Sequence, residues 1–343
     1  MRSGLILAAM LLLASAPACL SKDWLFVTTN WNHPGNESVL AIDSDSGQIR
    51  TLWHEGAELD AIVSPDAARL YVTYIGDNGY ELAVVDTATG AVLEKVATPQ
   101  LIRWIFPSTS GMALSPDGRW LYLMKTNYSA GSSEYSLLTF DTRESRFVPD
   151  ERAISQCPAP HPLPAPVDRN VVVLCRGGTA SQAVGTSLTL WLEHLVNFAI
   201  GRGGGYTAYL AASNGQIQAV DVATHEVIQT SKDKPLRYRR IMPSSDTLSP
   251  DGRLWYLPIK IPDNGEEEIE QILVFDTQTM STANVITPVG PFWGLALSPN
   301  GRRLYASQPD LHSILVIDTE THRTVRVIGV GAKPSILFTA KAL

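Results

Sequence analysis

Cysteine is scarce in this chain, with three among 343 residues, and the seven histidines are scattered. No His-Xaa-Xaa-Xaa-His or His-Glu-Xaa-Xaa-His spacing occurs, and no Cys-Xaa-Xaa-Cys pair, so no local zinc motif is expected and no residue is assigned as a metal ligand. There is no Gly-Xaa-Ser-Xaa-Gly elbow of the kind that presents a serine nucleophile. Excess positive charge is absent: the net charge is −7, which removes any general attraction to nucleic acid or anionic lipid. Long apolar runs are absent too, except for Leu5 to Leu13, which is too short for a stable membrane span.

That single run has a purpose of its own. Arg2 precedes it, and Ala14-Ser15-Ala16-Pro17-Ala18 supplies small residues after it. Residues 1–18 therefore read as a secretory signal peptide, and the protein is expected to be exported, periplasmic or secreted. Cys19 follows directly; its lipidation, giving a membrane-anchored lipoprotein, is the alternative to simple release. Residues 22–343 are then one domain.

What the chain has in abundance is a repeat. Gly294-Leu295-Ala296-Leu297-Ser298-Pro299-Asn300-Gly301 and Arg302-Arg303-Leu304-Tyr305-Ala306-Ser307 write two alternating apolar runs around a turn. Proline presets φ at the second turn position, and glycine accepts the left-handed exit. Ser115-Pro116-Asp117-Gly118 and Ser249-Pro250-Asp251-Gly252 repeat it, and Ser64-Pro65-Asp66-Ala67 does so with alanine in the glycine place. Each unit continues to a second apolar strand that ends on an aspartate: Asp43, Asp86, Asp141, Asp221, Asp276 and Asp318. One gap in this series spans 80 residues, and Ser187–Trp191 is read as the missing strand inside it. Seven units result, at a mean spacing of about 46 residues, the length of a four-stranded propeller blade. The chain starts on what should be a second strand (24–30) and ends on a first strand (332–339). The fold class expected is all-β: a seven-bladed β-propeller closed by pairing the C-terminal strand with the N-terminal strands of the last blade. Repetition of the aspartates at one structural position marks them as turn caps. Gly201–Gly205 reads as an inter-strand turn, and Leu190–Ile200 as strand more readily than helix.

The two later cysteines, Cys157 and Cys175, bracket a proline-rich stretch, Pro158 to Pro166. In an oxidising compartment the even count points to a disulfide, worth about 3 kcal/mol by loop closure; two buried thiols are the other reading. The prolines exclude a central strand, so an irregular loop is expected there.

The Ser-Pro-Asp-Gly-Arg-Xaa-Leu-Tyr and Val-Xaa-Asp-Thr-Xaa-Thr-Gly units resemble the YVTN family of β-propellers, and Leu70-Tyr71-Val72-Thr73 is close to the tetrapeptide behind that name. A narrower resemblance rests on Cys157, Cys175, Arg176 and Gly178, with Phe106-Pro107, Gly111–Gly118 and Asn214–Asp221 around them. These are similar to the heavy, propeller subunit of methylamine dehydrogenase. That resemblance implies a non-catalytic subunit of a quinone-dependent amine dehydrogenase. Its tryptophan tryptophylquinone cofactor would sit on a partner, a small cysteine-rich light chain; none is expected in this chain. It also implies periplasmic electron transfer.

Ligands of propellers commonly meet the rim where loops lead into the inner strands. Here those loops carry Arg103, Trp104 and Phe106, then Arg237, Tyr238 and Arg239, then Phe292 and Trp293. His54, Glu55 and Lys333 lie on others. Aromatic and arginine side chains suit a partner-binding surface, and they suit equally a plug over the blade ends. No residue is assigned as catalytic. The leading reading is an exported binding or scaffold subunit. The alternatives are a metal-dependent, lactonase-like hydrolase and an envelope adhesion or assembly lipoprotein.

Overall fold

The computed structural model describes residues 23–341 apart from 31–35, 78, 99–110, 130–131, 150, 155–159, 165–170, 176–181, 185–194, 203–205, 213–215, 222–223, 225, 234–245 and 264–266. The signal segment and Cys19 lie outside the described residues.

All regular structure among the described residues is strand, save one 3-10 turn at Pro309–Leu311. The strands form antiparallel sheets, meanders in chain order except that Arg152–Ile154 pairs with Ser132–Asp141 off the main path and Pro334–Lys341 joins the sheet of the first strands. The second sheet shows the pattern: Ala57–Val63, Arg69–Gly76, Gly79–Asp86 and Val92–Ala97. The first strands of successive sheets touch one another from Pro334–Lys341 to Ala57–Val63, Met112–Leu114 and Pro160–Pro164. They do so again from Leu195–Arg202 to Thr247–Leu248, Leu295–Leu297 and back to Pro334–Lys341. First strands therefore ring an axis and fourth strands lie outermost, which is the propeller arrangement.

The expected count of seven four-stranded blades is corrected. Among the described residues six blades form, sheets of four or five strands, and one further sheet carries three: Pro160–Pro164, Val171–Cys175 and Gln182–Val184. Its third strand lies at Gln182–Val184, ahead of the Ser187–Trp191 segment assigned to it from sequence, and that segment lies outside the described residues. The proline-rich stretch is also corrected: Pro160–Pro164 is a strand, paired with Val171–Cys175. Prolines 160, 162 and 164 alternate, so their missing N–H groups fall on one side of the strand. A first strand at a sheet edge tolerates that, because it is hydrogen-bonded on one side only.

The composite sheet at the chain ends pairs Asp23–Thr29 with both Ser38–Asp43 and Pro334–Lys341. Leu195–Arg202 is strand and pairs antiparallel with Tyr206–Ala212; Gly203–Gly205, read from sequence as part of an inter-strand turn, lie outside the described residues.

The core lies between sheets. Phe26, Trp53, Leu70 and Val85 pack in one gap, and Trp255, Leu257, Leu273 and Phe275 in another. Alternation along each strand gives both faces of a sheet to its two neighbours, so an apolar run on both faces is what a blade requires.

Candidate functional site

The up-and-down order of strands separates two ends. Serine-proline turns and aspartate turns share one end; loops feeding the inner strands and the central hairpin tips share the other.

At the first end the repeated motifs hold one another. In each serine-proline turn the serine Oγ donates to the carboxylate or amide oxygen two residues on, at 2.5 Å for Ser64–Asp66 and Ser115–Asp117 and 2.8 Å for Ser298–Asn300. The same Oγ accepts the N–H five residues on, from Arg69, Trp120, Leu254 and Arg303. The serine bond holds the Asp117 and Asp251 carboxyls below their ordinary value.

The aspartates cap the other turns. Asp43 Oδ1 accepts the N–H groups of Asp45 and Ser46; Asp141 those of Arg143 and Glu144; Asp276 those of Gln278 and Thr279; Asp318 those of Glu320 and Thr321. Asp86 accepts such a bond from Thr89, and Asp221 one from Thr224. The threonine after the aspartate reaches back to the serine-proline turn: Thr277 Oγ1 donates to Gly252 O at 2.7 Å, Thr319 to Gly301 O at 2.7 Å and Thr142 to Gly118 O at 2.8 Å. Arginines span the same hairpin, Arg69 to Asp86 at 2.9 Å and Arg253 to Asp276 at 3.0 Å. Others latch onto the next sheet: Arg50 onto Thr87 O and Ala88 O, Arg326 onto Asp45 O and Ser46 O. The motif chemistry at this end is spent on the fold.

At the opposite end, His54, Glu55, Phe292, Trp293 and Lys333 are the rim residues that fall among the described ones. Phe292 is buried in the gap between the sixth and seventh sheets. Its N–H donates to Glu270 Oε2 at 2.8 Å, and Lys260 pairs with Glu270 at 2.7 Å. Phe292 thus covers a blade boundary. Trp293 is half-buried, and its N–H donates to Ser307 O at 2.9 Å. Arg103, Trp104, Phe106, Arg237, Tyr238, Arg239 and Cys157 lie outside the described residues. Cys175 ends the second strand of the three-stranded sheet.

Three features of this end escaped the sequence reading. The first is a cluster over the first sheet boundary. The Trp53 and Tyr74 rings stand 4.8 Å apart, Lys95 Nζ lies 5.5 and 5.7 Å from their centroids, and Glu55 Oε2 holds that ammonium at 2.6 Å. Burial, then the bond to Glu81, push the Tyr74 phenol well above its ordinary value. The second is Asp60, which accepts from Ala61 N at 2.9 Å and Gly111 N at 2.5 Å, tying neighbouring inner strands. The third is Asp246, which accepts the Trp255 indole N–H at 2.6 Å. The residue is half-buried, and desolvation of its carboxyl drives the pKa up to about 7 against the indole bond, which works the other way. The pairing Leu248↔Trp255 held the available signal, since period two puts Asp246 on the face of Leu248.

No family model matches the chain, and no curated protein sequence matches it. Solved structures do share its shape. The dihydro-heme d1 dehydrogenase NirN, in complex with DHE, aligns with TM-score 0.56 and 16% identity over 92% of this chain and 74% of that one. A candidate 6-phosphogluconolactonase of Bacteroides fragilis aligns with TM-score 0.60 and 15% identity over 95% and 99%. AztD of Citrobacter koseri aligns with TM-score 0.56 and 10% identity over 94% and 99%. Identities this low speak for architecture alone. The protein is an all-β propeller.

Proposed function

We propose that this protein is an exported β-propeller serving as a binding or scaffold subunit, with the loop-bearing rim as its docking face. One observation carries the reading. The repeated serine, aspartate, threonine and arginine side chains at the turn end are engaged in hairpin and inter-sheet bonds, so sequence variety is concentrated in the loops at the other end. Residues 1–18 act as the export signal, residues 22–343 form one domain, and Cys157 and Cys175 form a disulfide. Cys19 is the anchor if the product is a lipoprotein.

The narrower form of the proposal makes it the heavy-chain-like subunit of a periplasmic quinone-dependent amine dehydrogenase. The cofactor, tryptophan tryptophylquinone, belongs to a small light chain docked against Arg103, Trp104, Phe106, Arg237, Tyr238 and Arg239. The Cys157–Gly178 resemblance supports this form. Its test is a pull-down from the native envelope fraction with mass spectrometry of the captured proteins. A small cysteine-rich partner with a modified tryptophan is expected. Dye-linked amine oxidation by the purified single chain would overturn the subunit assignment.

A further inference from the structure

Three of the described tryptophans meet a cation. Trp24 lies under the Arg50 guanidinium at 5.4 Å, Trp120 under Arg119 at 4.5 Å, and Trp53 beside Lys95 at 5.5 Å. A cation over an indole face favours the electron-rich ring and opposes removal of an electron from it. The indole N–H of Trp53 donates to the Glu55 carbonyl, which is no proton acceptor. Trp255 differs on both counts. It is fully buried, its N–H is bonded to a carboxylate at 2.6 Å, and the half-buried Tyr209 ring stands 6.5 Å away, centroid to centroid.

We propose that Trp255, with Asp246 as its proton acceptor and Tyr209 as its electron donor, forms a one-electron relay across the boundary of the fifth and sixth sheets. The relay does not depend on the docking reading above. A one-electron oxidant, such as a high-potential metal centre or an organic radical, removes an electron from the indole. The resulting radical cation is a strong N–H acid. Its Nε1–H bond breaks, the proton passes to Asp246 Oδ2, and a neutral tryptophyl radical remains beside a neutral carboxyl group. Tyr209 then supplies an electron and releases its phenol proton to solvent, while the Asp246 proton returns to the indole nitrogen. Net, one electron goes from Tyr209 to the oxidant and one proton goes to solvent.

The surroundings favour that sequence. In a low-dielectric interior, a bare indole radical cation is costly, and a bonded carboxylate removes the charge by proton transfer over a single hydrogen bond. Burial raises the proton affinity of Asp246, which makes it a better acceptor than an exposed carboxylate.

The test uses the full mature chain and photogenerated tris-bipyridine ruthenium(III) as the oxidant, in mildly alkaline buffer where Asp246 is ionised. Transient absorption and electron paramagnetic resonance read the radical. The wild type should give a neutral tryptophyl radical that forms more slowly in deuterated water and then decays into a tyrosyl radical, and Tyr209→Phe should block that decay. Trp255→Phe should lose most of that signal, and Trp53→Phe should retain it. Asp246→Asn keeps an oxygen for the indole bond and removes the proton acceptor, so it should lose the neutral radical even if Trp255→Phe fails to fold. A full neutral-radical yield in Asp246→Asn, or a wild-type radical that is only cationic, overturns the proposal.

Discussion

Gly294 passes so close to Ser335 that a Cβ on the glycine would stand 2.8 Å from the serine carbonyl oxygen. The same spot is bound by hydroxyls. Ser307 Oγ accepts from Gly294 N at 2.8 Å and donates to Ser335 O at 3.1 Å. Ser335 Oγ donates to Thr28 O at 3.1 Å, so the 2.8 Å contact with Thr28 Oγ1 is donated by the threonine. Each hydroxyl is buried, and this chain of bonds joins the seventh sheet to the sheet made of both chain ends. Gly294→Ala drives a methyl group into backbone that this network pins. It should destabilise the fold by about 1–3 kcal/mol, the usual cost of overpacking. The urea midpoint checks it; an unchanged midpoint would mean the seam is loose.

The serine-proline turns give a matched pair of tests. Gly301 has φ +71°, and a Cβ there would meet Pro250 Cδ of the neighbouring sheet at 3.1 Å. Gly301→Ala should cost at least the ~1–2 kcal/mol of left-handed backbone in an L-residue. Ala67 occupies the equivalent place at φ +59°, with its methyl group buried. Ala67→Gly relieves that backbone and forfeits one buried methyl group, worth roughly 0.8 kcal/mol. The two effects oppose, so its change in thermal unfolding should be much the smaller of the two.

Thr277→Val isolates the bond between the two repeated motifs. The hydroxyl donates to Gly252 O at 2.7 Å and lies within 3.0 Å of Arg253 O. Valine keeps the shape, so a loss of about 1 kcal/mol is expected. The ion pair next to it should matter less. Arg253 is largely exposed, and a double-mutant cycle with Asp276 should return a coupling below about 1 kcal/mol.

That partnership explains why so much of the fold was legible. Ser249–Gly252 and Asp276–Thr277 recur together because they meet on adjacent hairpin turns, and each copy reports one blade. Where a blade lacks the motif the reading slipped. The third strand near Gln182–Val184 has no terminal aspartate, and Pro160–Pro164 carries prolines that reject a central strand while permitting an edge. The site was less legible for a different reason. Lys95 reaches Trp53 and Glu55 from another blade, about 40 residues away in sequence, and such contacts follow from sheet-on-sheet packing that no local pattern encodes. Phe292 belonged to the rim by sequence and to the core by structure, since an aromatic residue at a blade mouth serves either purpose.

Acid and alkali should pull on this fold through different aspartates. Asp246 keeps its proton up to about 7 in the folded chain, against an ordinary value of 3.8. Between those values the folded state binds more protons than the unfolded one, so this group makes stability fall as pH rises. Asp117 and Asp251 are held below 3.8 by the Ser115 and Ser249 hydroxyls. Their contribution is present above that value and is lost as pH falls through their lowered pKa. Asp246→Asn cannot ionise and still offers an oxygen to Trp255. The difference in urea midpoint, variant minus wild type, should therefore grow from pH 4 to pH 7 and level off above it. Ser249→Ala should act at the other end, leaving neutral pH behaviour parallel to wild type and weakening the acid limb. Parallel curves for Asp246→Asn across the whole range would show that its carboxyl is solvated and that the Trp255 bond confers no special proton affinity.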